Sequence, residues 1–298
     1  MAEITLLDGG MGQELIARSG DAPTPLWATQ VMIDHPGLVR AIHADYFAAG
    51  SSVATANTYA IERERLRKFD IEGRFEALMT QALSEAAEAR AAHGGGRIAG
   101  SLGPLVASYR SDVLPPHEVA VARYREAAGL MAPHVDVLIA ETVPALASAR
   151  AVAEGASGAG RPLWLSVTVD DENGTLLRSG ERVADLAPIL RDHGIAAILA
   201  NCSAPEAMAA ALEVFKTFGL PFGAYANGFQ QITKDFLKDN PTVDLLSARP
   251  EMTPARYADF ALLWVKMGAT IIGGCCETTP PHIAEIARRL TAEGHRIV

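Results

Sequence analysis

The chain has 298 residues, 49% of them hydrophobic, a formal net charge of -9 and three cysteines. That length and apolar content allow one large buried core and exclude a disordered or collagen-like chain. The acidic balance excludes nucleic acid and anionic membrane as partners, since both need a basic face, and no apolar run reaches the roughly 18 residues of a membrane span; a small-molecule substrate is the default.

Met1–Asp8 enters an apolar segment directly, with no signal-type core or cleavage site before it. With an odd number of cysteines, this predicts a cytoplasmic, reduced protein and no disulfide framework. Short apolar runs then alternate with stretches rich in Ala, Leu, Glu and Arg at helical spacing. The runs are Ile4–Asp8, Ser52–Asn57, Ile98–Ser101, Val135–Glu141, Leu163–Thr168, Ala196–Asn201, Phe222–Ala226 and Thr270–Gly274, each followed by a segment able to form a helix. Eight strand–helix units predict an α/β fold, a (β/α)8 TIM barrel with eight parallel strands, as a single domain over residues 1–298.

Several helix starts are legible. Ser203 and Glu206 have capping-box spacing ahead of a helix predicted over Ala207–Phe215, and Thr253-Pro254 and Thr279-Pro280 set a hydroxyl cap before a first-turn proline. The glycines at 94–96 follow a helix-like segment and precede a strand, the order of a helix terminus and not of a phosphate loop. Two long connections are expected on the catalytic face as walls or lids: Gly103–Glu118, with Pro104, Pro115 and Pro116, and Gly228–Met252, with Asn240-Pro241 and Arg249-Pro250. There is no internal repeat beyond the strand–helix alternation.

In such a barrel the chemistry lies at the carboxyl ends of the strands. Cys202 closes one apolar run and Cys275-Cys276 another, so the three thiols converge if those strands are neighbours. A buried cysteine is most often a small hydrophobe, and vicinal cysteines can form a redox dithiol, although the Cys-x-x-Cys spacing is absent. Three soft thiolates with one open position favour a catalytic zinc ion. The eight histidines are scattered singly, with no His-Glu-x-x-His pattern, and read as surface or satisfied structural residues. No Gly-x-Ser-x-Gly elbow supports acyl transfer.

Asp8 and Glu141 are the second informative pair. A carboxylate at a strand end can cap a helix or join a salt bridge, but two on the mouth that holds the thiols suggest recognition of a cation such as an amino-acid ammonium. The glycines flanking Asp8 and Cys275 allow close backbone approach to a ligand or positive φ. A substrate carboxylate would rest on N–H groups at Gly9–Met11 or at a nearby helix N-terminus. Trp27, Tyr59, Tyr109, Tyr225 and Phe229 offer ring faces to a cation, with ordinary core packing as the alternative.

These residues carry a resemblance. Leu6-Leu-Asp-Gly-Gly-Met11, Asn57-Thr-Tyr59, Gly100-Ser-Leu-Gly-Pro104, Glu141-Thr142, Asn201-Cys202 and Gly273-Gly-Cys-Cys-Glu-Thr-Thr-Pro280 resemble, in order, the motifs of the homocysteine S-methyltransferase family over nearly the whole chain. The resemblance implies that Cys202, Cys275 and Cys276 ligate Zn2+ and carry the catalysis. It implies that Asp8 and Glu141 hold the amino group of homocysteine, with Gly9 and Gly10 making close backbone contacts. Glu277 departs from the Gly or basic residue expected there, which bears on the methyl donor.

The implied reaction is direct displacement: the substrate thiol loses its proton at the open metal position and takes a methyl group in line from a cationic donor, forming methionine. The chain stops at Val298, soon after the last helix, so a sulfonium donor, S-methylmethionine or S-adenosylmethionine, is favoured, with betaine or another onium compound as the alternative. A nonenzymatic zinc or thiol-sensing barrel lacks the fourth protein ligand of a structural site. A barrel acting on a phosphorylated metabolite leaves the thiols unexplained. Oligomeric state is not legible.

Overall fold

The computed structural model describes residues 1–229 and 249–298. Eight parallel strands form the barrel: β1 (Glu3–Leu6), β2 (Val53–Thr55), β3 (Arg97–Leu102), β4 (Val137–Val143), β5 (Leu163–Val167), β6 (Ala197–Asn201), β7 (Phe222–Ala226) and β8 (Ile271–Gly274). Each lies on one of the apolar runs, because a barrel strand is buried on both faces and reads as a continuous hydrophobic segment. Hydrogen-bonded neighbours run β2-β3-β4-β5-β6-β7-β8-β1. The ring closes through a parallel bridge between Leu7 and Val53 and a bond from Ser52 N–H to the Leu6 carbonyl.

Side chains alternate across each strand, and two packed layers result. One set, including Leu7, Val53, Ala99, Val137, Ile139, Trp164, Ala197, Leu199, Tyr225 and Ile271, fills the barrel interior. The other, including Leu6, Ile98, Leu138, Leu165 and Ile198, packs against the helices. The period of two therefore turns Thr55, Ser101, Glu141 and Asn201 inward, next above the interior apolar layer, at the carboxyl ends of their strands. That parity is what collects polar groups at one mouth.

The principal helices are α1 (Met11–Ser19), α2 (Ala28–Asp34), α3 (Leu38–Ala48), α4 (Arg63–Arg67), α5 (Phe75–His93), α6 (His117–Met131), α7 (Leu146–Ala156), α8 (Ala187–Asp192), α9 (Pro205–Phe215), α10 (Pro254–Lys266) and α11 (Pro280–Ala292). Thr253 caps α10 by accepting the Arg256 N–H, Thr279 forms a capping box with His282, and Gly94 ends α5 in the left-handed region. The capping box expected from Ser203 and Glu206 does not form. The cap position is Ala204 and the helix starts at Pro205, because the Ser203 hydroxyl is drawn to Val169, accepting its N–H at 2.8 Å, while Glu206 pairs with Arg249.

A ninth strand, β9 (Arg296–Ile297), pairs parallel with the outer start of β1. Two part-exposed residues carry no periodic signal, so sequence reading misses it. The segment between β5 and α8 is a long loop folded on itself by bridges Val169–Leu177 and Leu176–Arg182, not simply a helix. The loop after β3 carries Ser108 and Tyr109 to the mouth. Of the other long connection, Asn240-Pro241 lies outside the described residues; its flanks meet where the Arg249 N–H bonds the Gly228 carbonyl at 3.0 Å. Among the described residues no helix is long and apolar enough to cross a membrane.

Candidate active site

The predicted thiols converge. They do so without the expected adjacency of strands: Cys202 follows β6 and Cys275-Cys276 follow β8, with β7 between them, and the turns beyond the strand ends close the gap. Cys202 Sγ lies 2.7 Å from Cys275 Sγ, and all three sulfurs lie within 4.8 Å of one another. Among the described residues, this is the only group of three or more His, Cys, Asp or Glu ligand atoms close enough to share an ion. Tetrahedral zinc with bonds of about 2.3 Å sets sulfurs roughly 3.8 Å apart, so the cluster fits the ion with a small opening of the Cys202–Cys275 pair.

The electrostatics point the same way. Bonds from the Cys275 and Cys276 thiols hold the Cys202 thiol well below the usual cysteine range, helped by the Tyr109 and Thr142 hydroxyls, and the bond with Cys202 raises the other two. Burial adds to the cost of further ionisation. Three thiolates in so small a buried volume need a cation to offset them.

Asp8 and Glu141 open onto the same cavity of about 150 Å³, together with Trp27, Tyr59 and Tyr109. Asp8 accepts the Thr55 N–H at 2.7 Å and the Thr55 hydroxyl at 2.8 Å. Burial nevertheless pushes its carboxyl up to about 7, with the charge of Glu141 adding to the shift. Glu141 accepts the Tyr225 hydroxyl at 2.9 Å and a short bond from Ser101, and burial pushes it up to about 7 as well. Two buried carboxyls poised near neutrality are stabilised as anions by an incoming cation.

Sequence reading named Ser101, Asn201 and Tyr225 but not their part in aiming these residues. Asn201 Oδ1 accepts the Thr142 N–H at 2.9 Å and the Ser166 hydroxyl at 2.8 Å, which fixes the backbone directly after Glu141. Tyr225, expected as a ring face for a cation, serves instead as a hydroxyl donor to Glu141. Period-two alternation along β3, β6 and β7 is the signal that could have placed Ser101, Asn201 and Tyr225 inward. Gly9 and Gly10 line the cavity but have negative φ; their want of a side chain serves a closer purpose. A Cβ on Gly10 would lie 2.8 Å from the Cys275 carbonyl, and the Gly10 N–H bonds the Thr278 carbonyl at 2.8 Å, so the Asp8 segment can seat against the thiol segment.

One expectation fails outright. His43 of α3 is neither exposed nor satisfied: it is fully buried, both ring nitrogens lack a partner, and Nδ1 lies 3.9 Å from Asp8 Oδ2. Burial lowers its pKa to about 4, so it stays neutral. The ring faces partly match expectation: Trp27 and Tyr59 stack at 6.2 Å, and Phe229 packs with Tyr109 and Cys202.

Backbone strain concentrates here too. Among the described residues six non-glycine residues have positive φ, and Trp27, Tyr109, Thr142, Cys202 and Glu277 line the mouth or its thiol turn, leaving Asp70 apart. Such conformations persist where surrounding contacts over-determine them, as at ligand sites.

With this geometry in view, the comparisons with known proteins are consistent. The sequence model of homocysteine S-methyltransferases matches residues 5–290. A homocysteine S-methyltransferase of Escherichia coli (strain K12) is 30% identical, over 96% of this chain and 95% of the relative. The homocysteine S-methyltransferase YbgG of Bacillus subtilis (strain 168) is 29% identical over 95% and 93% of the two chains. The crystal structure of the metallated form of the homocysteine methyltransferase MmuM from Escherichia coli superposes with a TM-score of 0.81 at 28% identity, covering 96% of each chain. A thiol triad beside paired carboxyls on a closed parallel barrel, matched along almost the full sequence, places this chain in the homocysteine S-methyltransferase family.

Proposed function

We propose that this protein transfers a methyl group from a sulfonium donor, S-methylmethionine or S-adenosylmethionine, to the thiol of L-homocysteine, forming methionine with one bound zinc ion. The observation that carries the reading is the meeting of three sulfurs within 4.8 Å on the wall of the cavity that also holds Asp8 and Glu141. Thiols suit a soft metal and carboxyls suit an ammonium, and homocysteine presents a sulfur and an ammonium on one short chain.

Cys202, Cys275 and Cys276 would hold the zinc. When bound, it supplies the positive charge that lets a substrate thiol shed its proton near neutral pH. Asp8 and Glu141 receive the ammonium and exchange their raised pKa values for an ion pair. The first N–H groups of α1 have no intrahelical acceptors, and its cap residue, Gly10, has no side chain to fill them. Met11, Gly12 and Gln13 line the cavity, so this terminus suits the substrate carboxylate.

Held at both ends, the substrate presents its sulfur toward the Trp27–Tyr59 wall, whose rings suit a sulfonium. The sulfur lone pair forms the new S–CH3 bond while the donor's C–S bond breaks, its electron pair returning to a sulfur that becomes a neutral thioether. Alignment of the three atoms, not proton transfer, is what the protein contributes at that moment.

The test is methionine formation from homocysteine with a panel of donors: S-methylmethionine, S-adenosylmethionine, betaine, dimethylsulfonium compounds and methyltetrahydrofolate. Turnover with a sulfonium, abolished by a chelator and by Cys276→Ala, is expected. Turnover with betaine alone would overturn the donor assignment, and stoichiometric zinc in Cys276→Ala would overturn the ligand set.

A further inference from the structure

The loop after β5 ends in a clamp on the turn that carries Cys202. Asp171 and Arg178 of that loop pair through two parallel bonds of 2.8 and 2.7 Å, with the Arg178 side chain only 13% exposed. From that fixed position the guanidinium reaches three groups. Nη2 approaches the Cys202 carbonyl at 3.5 Å, and Nε donates to Thr168 Oγ1 at 3.3 Å. The Thr168 hydroxyl itself donates to the same Cys202 carbonyl at 3.1 Å. The guanidinium carbon also lies 5.7 Å from the centre of the Tyr109 ring, whose hydroxyl bonds the Cys202 sulfur. Asp171 adds a fourth tie, accepting the Ala204 N–H at 2.7 Å.

These contacts converge on residues that need holding. Cys202 and Tyr109 both sit at positive φ, 50° and 64°, where a side chain with a Cβ is disfavoured. The clamp touches no sulfur and faces the cavity with neither partner. We infer that the Asp171–Arg178 pair is a positioning device that keeps Cys202 in its left-handed conformation and Tyr109 over its sulfur, so that the thiol triad is preorganised for metal. The inference rests on the reading of Cys202 as a metal ligand. Arginine is the residue for the task, because its planar fork can be locked by one carboxylate while other edges serve the backbone and a ring.

Zinc affinity of the unaltered chain, Arg178→Met, Asp171→Asn and Cys202→Ala, measured by competition with a chromophoric chelator, tests the inference, together with the cobalt(II) thiolate spectrum and the melting temperature of each metal-free protein. Arg178→Met is expected to bind zinc about 10- to 100-fold more weakly and to shift the cobalt spectrum, as loss of outer-sphere support does, and Asp171→Asn is expected to weaken zinc by about tenfold. A merely structural role would lower the melting temperature and leave zinc affinity and the cobalt spectrum within about twofold of the unaltered chain in both variants, and that result overturns the inference. Should Arg178→Met fail to fold, Asp171→Asn decides by the same criterion. If the unaltered chain binds zinc no better than Cys202→Ala, the ligand reading itself fails and takes the inference with it.

Discussion

The pairing of Asp8 with Glu141 makes a quantitative claim about pH. Both carboxyls are buried and raised to about 7, and each lifts its proton affinity mainly through desolvation. The ammonium proposed to sit between them requires the anionic forms, so on that proposal binding releases protons and strengthens as pH rises. At one unit below about 7 each group is only about one-tenth ionised, so if both must ionise, affinity falls about a hundredfold between about pH 8 and about pH 6.

Norleucine is the right probe, since it keeps the ammonium and carboxylate of homocysteine without a sulfur to titrate or bind metal. Calorimetry in buffers of different ionisation enthalpy measures affinity and proton release together. Asp8→Asn should flatten the slope to about tenfold over the same interval, because one titrating carboxylate remains. Affinity that changes less than about threefold across the window, with no proton release, would refute the reasoning. Stability runs the opposite way. Each raised carboxyl stabilises the unliganded fold below its unfolded pKa, and that contribution is lost as pH climbs toward about 7.

Further outcomes can be checked. Tyr225→Phe removes the 2.9 Å bond to Glu141 and should raise the homocysteine KM about tenfold while sparing kcat, since a bond to a charged group contributes about 1.5–3 kcal/mol; an unchanged KM would dismiss that role. Gly274→Ala sets a Cβ 2.0 Å from Thr278 Oγ1, whose hydroxyl holds the Cys275 carbonyl at 2.6 Å. It should cost about 1–3 kcal/mol and weaken zinc binding, so an unshifted melting temperature with full zinc content counts against it. His43→Leu removes two unpartnered buried nitrogens and should raise the melting temperature; a fall accompanied by weaker norleucine binding would mean that the ring serves Asp8.

The strands and the residues at their ends were legible in the sequence because they rest on local rules. A strand buried on both faces is apolar throughout, its side chains alternate, and the first polar residue after it stands at the mouth, so Asp8, Glu141, Cys202 and Cys275-Cys276 declare themselves. That the thiols meet within 4.8 Å was decided by tertiary structure, since 73 residues separate Cys202 from Cys275 and only the pairing of β6, β7 and β8 brings them together. The same holds for Arg178, which sits in an irregular loop with no periodic signal, and for Ser203, whose hydroxyl left its expected cap for a neighbouring loop. His43 looked like any isolated histidine until packing closed over it. Local pattern determines which way a side chain faces along its own strand; what it touches depends on closure of the barrel, which no window of sequence contains.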